Sequence, residues 1–238
     1  PTHNRLDILK KTLDAYNRQT LKKDCFQVII VDDGSTDGTF DFLKTVQKTL
    51  QYKIKFFYQK NSGPNAAREK GIEESDYPLV LITGDDMIPT ETLLEEHIKY
   101  HEKYSDINYS VLGCIDWHPA IKLDSFKKYI TEVSGDQFGF NFIDNLQLVP
   151  YQFFYTSNIS LKKIFIEKLP YIFDKDFIYP AYDDIELGLR LTEIGLKIVY
   201  NKSAIVYHYH NITIESFSQR AYNSGKMCWI FANKQPSD

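Results

Sequence analysis

Three pairs of neighbouring aspartates stand where a strand or a turn ends, and they are the residues of this sequence best suited to chemistry. The pairs are Asp32/Asp33, Asp85/Asp86 and Asp183/Asp184. One such pair alone often does no more than cap the helix that follows it. Three pairs on one chain favour another interpretation, because adjacent carboxylates repel each other and a divalent cation is the usual way to hold them together.

Two histidines add a second type of metal ligand. His208 and His210 are two residues apart in a run of strand-forming residues, so their side chains are expected on the same face. Carboxylates alone suit Mg²⁺ or Mn²⁺, and an added imidazole shifts the preference toward Mn²⁺. A lone histidine is more often structural, whereas a pair near a strand end is a better ligand candidate.

A Gly/Pro-containing loop between Asn61 and Arg68 leads into a predicted helix. The start of a helix offers free N–H groups to an anion, and Arg68 lies just inside it, within reach of a phosphate or carboxylate. An ordinary turn with an arginine on the helix surface explains the same residues equally well.

The elements that must position these residues alternate between strand and helix. Apolar runs at 26–31, 53–58 and 79–82 read as strands, and helical patterns follow each of them. This alternation predicts an α/β fold with a mostly parallel, Rossmann-like central sheet flanked by helices. Ligands of such sheets bind beyond the carboxyl ends of the strands, where the first two aspartate pairs stand.

The second half of the chain is less regular, with further strands expected over 109–115, 152–159, 197–200 and 204–207. No repeat or linker interrupts the sequence, which predicts one domain over 1–238. Within it, 1–105 forms one half and 106–238 the other. The abrupt start at Pro1 suggests that a strand preceding it is missing.

Composition narrows the functional class. The chain has 238 residues, 43% of them hydrophobic, and a formal net charge of −4, which argues against a nucleic-acid partner. Its three cysteines are far apart and form neither a disulfide framework nor a zinc motif. A cytoplasmic location fits them best. No apolar run is long enough to cross a bilayer.

Taken together, six ordered motifs resemble the family 2 glycosyltransferases with a GT-A fold. They are PTHNR at 1–5, VDDGSTD at 31–37, NSGPNAAR at 61–68, TGDDMIP at 83–89, TSNISL at 156–161 and DDIELGLRL at 183–191. One such motif would be weak evidence, but six in register cover nearly the whole chain. The resemblance implies a GT-A fold whose second half shapes the acceptor site.

The resemblance also implies residue roles. A nucleotide-sugar donor, with a UDP-sugar as the expected form, would lie against Thr2, Arg5, Asp33, Asn61, Gly63, Arg68, Asp85 and Asp86. Asp86 would bind Mn²⁺ or Mg²⁺, with His208 as a further ligand and His210 as the alternative. Asp184 would be the catalytic base.

Two positions depart from the family pattern. The DxD motif reads Gly84-Asp85-Asp86, so its first carboxylate is absent, and Asp183 stands where the family has a glutamate. The first departure keeps open a non-catalytic alternative, a sugar-nucleotide or carbohydrate-binding scaffold with a degenerate metal site. A pyrophosphorylase would carry a Gly-rich, Arg-containing first loop, and a receiver domain would be about half this length.

The predicted reaction is a single displacement at the anomeric carbon, with inversion, in which Asp184 takes the proton of an acceptor hydroxyl. The acceptor is expected to be a glycan or a lipid-linked glycan. A lipid-linked acceptor would bring the enzyme to the inner face of a membrane as a peripheral protein. Sugar-stacking candidates, which are equally core candidates, are Trp117, Tyr151, Phe153, Phe154 and Tyr155.

Overall fold

The computed structural model describes residues 1–234. Its α-helices are α1 (Leu6–Asn17), α2 (Thr39–Val46), α3 (Pro64–Glu73), α4 (Leu93–Lys103), α5 (Ser125–Lys128), α6 (Lys163–Ile166), α7 (Asp183–Glu193) and α8 (Ile214–Lys234). A π-helical turn at Tyr129–Val133 and 3-10 turns at Gly139–Phe142 and Tyr151–Phe153 complete the helical elements of these residues. Within 1–234, every helix is too short or too polar to cross a bilayer.

The strands form two sheets. They are β1 (Gln27–Asp32), β2 (Lys53–Tyr58), β3 (Leu79–Thr83), β4 (Met87–Pro89), β5 (Tyr109–Trp117), β6 (Leu148–Val149), β7 (Asn158–Lys162) and β8 (Lys197–His208). β1 and β2 pair in parallel, and Thr2 adds a parallel bridge at Asp32. The larger sheet runs β3-β7-β5-β8-β4 with β6 on β8; β5 and β8 are parallel and its other pairings are antiparallel.

The predicted α/β fold with helices flanking a central sheet is confirmed. Each antiparallel pairing includes β7 or β8, strands of the second half, which the sequence marks as less regular. The strand predicted over 152–159 begins only at Asn158, because the residues before it form a 3-10 turn. The two strands predicted over 197–200 and 204–207 form one continuous strand, β8. The residues between them are accommodated by a shift in the pairing register with β5, between Gly113 and Cys114.

Helix α1 ties the N-terminal loop to the acidic turn after β3. Its buried Leu9 and Leu13 pack with Leu43 of α2 against the face of β1 and β2. On the same helix, Thr12 donates from Oγ1 to the backbone oxygen of Asp85 at 2.6 Å. The hydrophobic contact and the hydrogen bond together fix the position of the Asp85–Asp86 turn relative to the first loop.

A buried polar layer holds the centre of the larger sheet. His97 of α4 contacts Ser160 Oγ through Nδ1 at 2.7 Å and Asn158 Oδ1 through Nε2 at 3.0 Å. Asn158 in turn donates to the backbone oxygens of Cys114 and Ala204 at 3.0 and 2.9 Å. Burial lowers the pKa of His97 to about 4, so the ring is neutral at pH 7. These hydrogen bonds connect α4 with three strands of the larger sheet, β5, β7 and β8.

An apolar groove separates β1 from β3. It has a volume of about 270 Å³, and its walls include Gln27 and Val28 of β1 and Leu79 to Leu81 of β3. Within the described chain, β1 pairs with β2 and the Thr2 bridge and β3 pairs with β7, so both strands present an unpaired edge beside the groove. An extended segment in this groove would find both edges.

Gly113 supplies the first testable prediction. A Cβ at this position would lie 2.2 Å from Asn158 Nδ2 and 2.4 Å from the backbone oxygen of Ala204. We expect Gly113→Ala to lower the free energy of unfolding by about 1–3 kcal/mol, because the polar layer must shift to admit the methyl group. Urea unfolding monitored by circular dichroism measures the change.

Gly225→Ala is the matched control for this substitution. Gly225 lies inside α8 with open space where the added methyl group would lie, so the same change should stabilise the protein by about 0.5–1 kcal/mol. Equal unfolding midpoints for the Gly113 variant and the parent protein would contradict the close packing described at β5.

Candidate functional site

Most of the predicted site residues converge on one cavity. It has a volume of about 510 Å³ and lies at the carboxyl ends of β1 and β3, beside the end of β8. Eight of the residues singled out in the sequence line it: Thr2, Arg5, Asp33, Arg68, Asp85, Asp86, His208 and His210. The sheet edge expected from the strand–helix alternation is therefore where these side chains meet.

Asp33 is buried at the end of β1 and organises the loop that follows β2. Its carboxylate accepts hydrogen bonds from the backbone N–H groups of Ser62 and Gly63, at 2.8 and 2.9 Å, and from Gln59 Nε2 at 2.8 Å. The loop is pinned in this way at the start of α3. A contact between Asp33 and a nucleotide base stays a prediction.

Arg5 and Thr2 hold the two aspartates that follow β3. Arg5 donates from one guanidinium nitrogen to Asp85 Oδ1 at 3.2 Å and to Asp86 Oδ2 at 2.6 Å. Thr2 donates from Oγ1 to Asp85 Oδ2 at 2.8 Å. These contacts connect the PTHNR loop directly to the TGDDMIP turn, as adjacent parts of one site.

The pKa values of the two carboxylates are shifted in opposite directions. Burial raises the pKa of Asp85, against the lowering effect of the Arg5 charge. Burial acts on Asp86 in the same direction, but the hydrogen bond and charge of His208 and the charge of Arg5 outweigh it and lower the pKa of Asp86 to about 2. Asp86 is therefore the better ionised of the pair and the better ligand for a cation.

Gly84 occupies the place of the missing first carboxylate of the DxD motif. A Cβ there would lie 2.9 Å from Asp86 Oδ1 and 3.4 Å from Met87 Cγ. The space that a side chain would need is taken by the carboxylate of Asp86 itself. The absence of a side chain at position 84 therefore matches the lack of space for one in this turn.

Asp86 and His208 form a two-ligand arrangement. Antiparallel pairing of Met87 with His208 brings β4 beside β8 and places His208 Nε2 3.5 Å from Asp86 Oδ2. His208 Nδ1 is buried and makes no hydrogen bond within residues 1–234. A divalent cation fits one carboxylate and one imidazole when phosphates and water complete its shell.

No larger set of protein ligands exists in the part of the chain that the structure describes. Over 1–234, no group of three or more His, Cys, Asp or Glu side chains is arranged to hold an ion. The His210 ring lies 5.6 Å from that of His208, centroid to centroid, and also borders the cavity. Asp86 and His208 are consequently the residues that fit a metal, and His210 stays the alternative.

Arg68 connects the cavity to the third aspartate pair. Its NH1 group lies 3.5 Å from Asp183 Oδ2 and donates to Asn65 Oδ1 at 2.7 Å. Asp183 is buried in the first turn of α7, directly after Tyr182, whose φ of +63° is unusual for a residue other than glycine. The strained turn orients the aspartate pair toward α3.

Asp184 is not among the residues that line this cavity. It is partly buried and accepts a hydrogen bond from the backbone N–H of Thr156 at 3.4 Å, next to the cavity residue Ser157. Burial, and then the charge of Asp183, raise the pKa of Asp184 to about 7, against the lowering effect of Arg68. A carboxyl group with this pKa exchanges protons near neutral pH.

Asn61 and Gly63 are not on the wall of this cavity. Both border a neighbouring cavity of about 570 Å³ that they share with Tyr179 and Pro180. Gly63 still contributes its N–H to Asp33, and Asn61 is exposed beside His3, with Nδ2 3.4 Å from Nδ1 of that ring. Their predicted contact with the donor stays a prediction.

Two of the sugar-stacking candidates are core residues. Trp117 is 5% exposed and donates from Nε1 to Thr131 Oγ1 at 2.9 Å, and Phe154 is fully buried. Neither ring offers a free face to a sugar. Tyr155 is different: its pKa is raised to about 12 by burial and by the nearby charge of Asp184, which places it beside the third aspartate pair.

Sequence reasoning missed the wall formed by the last helix. Ser216, Phe217 and Arg220 of α8 line the cavity, together with Ile212 before the helix and Pro180 before α7. The segment after His210 carries no recognisable motif, and its mixed polarity did not lead to a predicted helix. The spacing of 216, 217 and 220 on one helical face was the available sign.

Comparison with known proteins places this arrangement in a family. A family model described as "Glycosyl transferase family 2" matches residues 1–148. The chain is 26% identical to validoxylamine A glucosyltransferase of Streptomyces hygroscopicus subsp. jinggangensis over 86% of its own length and 53% of that protein.

Two solved structures share the fold over the whole chain. TarS 1-349 of S. aureus in complex with UDP has a TM-score of 0.68, 15% identity and 65% of its length covered. The mannosyltransferase PcManGT of Pyrobaculum calidifontis, in complex with GDP-Man and Mn²⁺, has a TM-score of 0.71, 16% identity and 63% of its length covered. The chain thus spans about half to two thirds of these proteins.

Proposed function

The chain belongs to glycosyl transferase family 2, and on this premise we propose that it is an inverting transferase acting on a nucleotide-sugar. The sugar passes from a nucleoside diphosphate, with UDP as the proposed form, to a hydroxyl group of the acceptor. One observation carries the proposal: four separate motifs deliver Arg5, Asp33, Arg68 and Asp86 to the cavity that also receives His208.

Donor binding is assigned to the side of the cavity formed by residues 1–90. The solved structures with the same fold contain UDP or GDP-Man, and one of them contains Mn²⁺. In this chain Asp86 and His208 would hold a divalent cation. When bound, such an ion neutralises charge on the departing diphosphate. Thr2 and Arg5 keep Asp85 and Asp86 in position for this task.

The base of the reaction is assigned to Asp184. Its raised pKa of about 7 suits a group that must accept a proton from an acceptor hydroxyl near neutral pH. Asp183 acts on Asp184 through its charge, and its ion pair with Arg68 limits this effect. One base and one displacement produce inversion, and no second carboxylate nucleophile is required.

The acceptor is proposed to be a glycan or a lipid-linked glycan. A lipid-linked acceptor would require peripheral membrane association, and the predicted cytoplasmic location stays a prediction. The scaffold alternative rests on Gly84, yet a side chain at position 84 would collide with the carboxylate of Asp86, so this turn is packed without the first carboxylate of the motif. Slow metal-dependent hydrolysis of the donor would separate the two, because a binding module does not turn over its ligand.

The test is thermal unfolding in the presence of UDP-, GDP- and dTDP-sugars, each with and without Mn²⁺. A donor at 100 times its Kd is expected to stabilise the folded state by about 2.7 kcal/mol. We expect one UDP-sugar to raise the Tm, and to do so only with Mn²⁺. An unchanged Tm for every donor under both conditions would remove support for the transferase and favour the scaffold.

A further inference from the structure

Of the three arginines on the cavity wall within residues 1–234, Arg220 is the one without a carboxylate partner. Arg5 is paired with Asp85 and Asp86, and Arg68 is paired with Asp183. Arg220 makes no ion pair with any residue of the described chain, 1–234. An arginine of this kind on a cavity wall has its donors available for an anion that enters the cavity.

The surroundings of Arg220 hold it in place, and Asp136, the carboxylate whose charge acts on it, forms no ion pair with it. NH1 donates to Gln137 Oε1 at 2.8 Å, and the guanidinium carbon lies 5.2 Å from the centre of the Phe217 ring. Gln137 is buried and uncharged, so it orients the guanidinium while leaving its positive charge intact. Phe217 lies on the same face of α8, three residues earlier.

The position of Arg220 complements the candidate metal pair. α8 begins six residues after His208, and the cavity is bounded by Arg220 from this helix and by Asp86 and His208 from the strand ends. A nucleoside diphosphate carries several negative charges, and more charge develops on it as the sugar leaves. A cation held by Asp86 and His208 would neutralise part of the negative charge of the diphosphate. The remaining negative charge would face α8, where Arg220 lies.

We propose that Arg220 binds the diphosphate of the donor, which makes α8 a phosphate-binding wall of the site. The inference rests on the proposed function, because the diphosphate belongs to the nucleotide-sugar donor. It adds a residue outside the six sequence motifs. Loss of a hydrogen bond to a charged group commonly weakens binding by about 10–100-fold.

Isothermal titration with UDP and with uridine, both in the presence of Mn²⁺, tests the proposal, with GDP and guanosine in parallel. Arg220→Gln is expected to raise the Kd of the diphosphate about 10–100-fold and to leave the Kd of the nucleoside unchanged. Arg220→Lys should recover part of the loss, since it restores the charge without the planar fork.

Lys226→Gln is the matched control. Lys226 lies six residues further along α8, outside the cavity wall, so the same loss of charge should leave diphosphate binding unchanged. Circular dichroism confirms that each variant is folded. A diphosphate Kd of Arg220→Gln within twofold of the wild-type value would overturn the role of Arg220 while leaving the transferase proposal intact.

A different result identifies failure of the proposed function. If the wild-type protein binds neither UDP nor GDP with Mn²⁺, the donor site itself is refuted, and the role of Arg220 falls with it. Failure of the role of Arg220 is therefore observed with the Arg220→Gln variant, and failure of the proposed function is observed with the wild-type protein.

Discussion

Asp184→Asn is expected to lower kcat for sugar transfer by roughly 10²–10⁴-fold while donor binding is retained. Asparagine has nearly the same shape as aspartate and can still accept a hydrogen bond from the backbone N–H of Thr156, but it cannot take a proton from the acceptor. Transfer rates and donor Kd values of the parent and the variant measure the two effects separately.

The pH profile gives the same prediction a second readout. A base with a pKa of about 7 is protonated below pH 7, so kcat/KM of the wild-type protein should rise with pH through that region. Asp183 and Arg68 are the charged groups that act on this carboxyl from α7 and α3. The rise assigned to Asp184 should disappear in Asp184→Asn.

Stability distinguishes a lost base from a damaged fold. Because the folded-state pKa of Asp184 is raised, ionisation of this carboxyl costs stability, and the cost is fully present above pH 7. Asparagine removes that cost, so the variant should be at least as stable as the parent at pH 8. Asp41→Asn, at a carboxylate that is 84% exposed, is the control. Full transferase activity in Asp184→Asn would refute the assignment of the base.

Asp86→Asn is expected to remove the dependence of donor binding on Mn²⁺ and to lower kcat roughly 10²–10³-fold. The physical reason is the low pKa of Asp86, which keeps it ionised beside His208 at any pH near neutrality. Neutralising this side chain takes away the charged member of the Asp86–His208 pair, which is the pair proposed to hold the divalent ion at this cavity. Titration of UDP with and without Mn²⁺ measures the change.

A carboxylate far from the cavity provides the comparison for this variant. Asp7 on α1 has a side chain that is 94% exposed, so Asp7→Asn should bind UDP with the same Mn²⁺ dependence as the parent. The assignment of Asp86 as a metal ligand fails if Mn²⁺ strengthens UDP binding to Asp86→Asn as much as it does for the wild-type protein.

The sequence was informative where local rules act on a few adjacent residues. The strands that end at Asp32 and Thr83 have short apolar runs followed by turn residues, so both their position and their role at the sheet edge could be predicted. The convergence of Asp33 with Arg68 also followed from the order of the motifs, since the loops of an α/β sheet meet at one edge.

The features that the sequence did not predict depend on distant contacts. β4 has three residues, and no local pattern predicted it; its pairing with the end of β8 brings Asp86 beside His208, a proximity that only the family resemblance had implied. Arg220 was invisible because its role depends on α8 folding back over the cavity, where Gln137 meets it from a segment of irregular turns. The burial of Trp117 likewise follows from packing that aromatic content alone does not reveal.

The groove between β1 and β3 has a consequence for the protein in solution. An extended segment that entered it would pair on both of its sides at once, because within residues 1–234 β1 and β3 each leave an edge unpaired beside the same apolar channel. A segment of the same chain protects the edges, whereas a segment of a second copy joins two molecules. Gln27 and Leu79 stand at the starts of these two strands, whereas the candidate site lies at their carboxyl ends, so substitutions at the groove would leave the candidate site untouched.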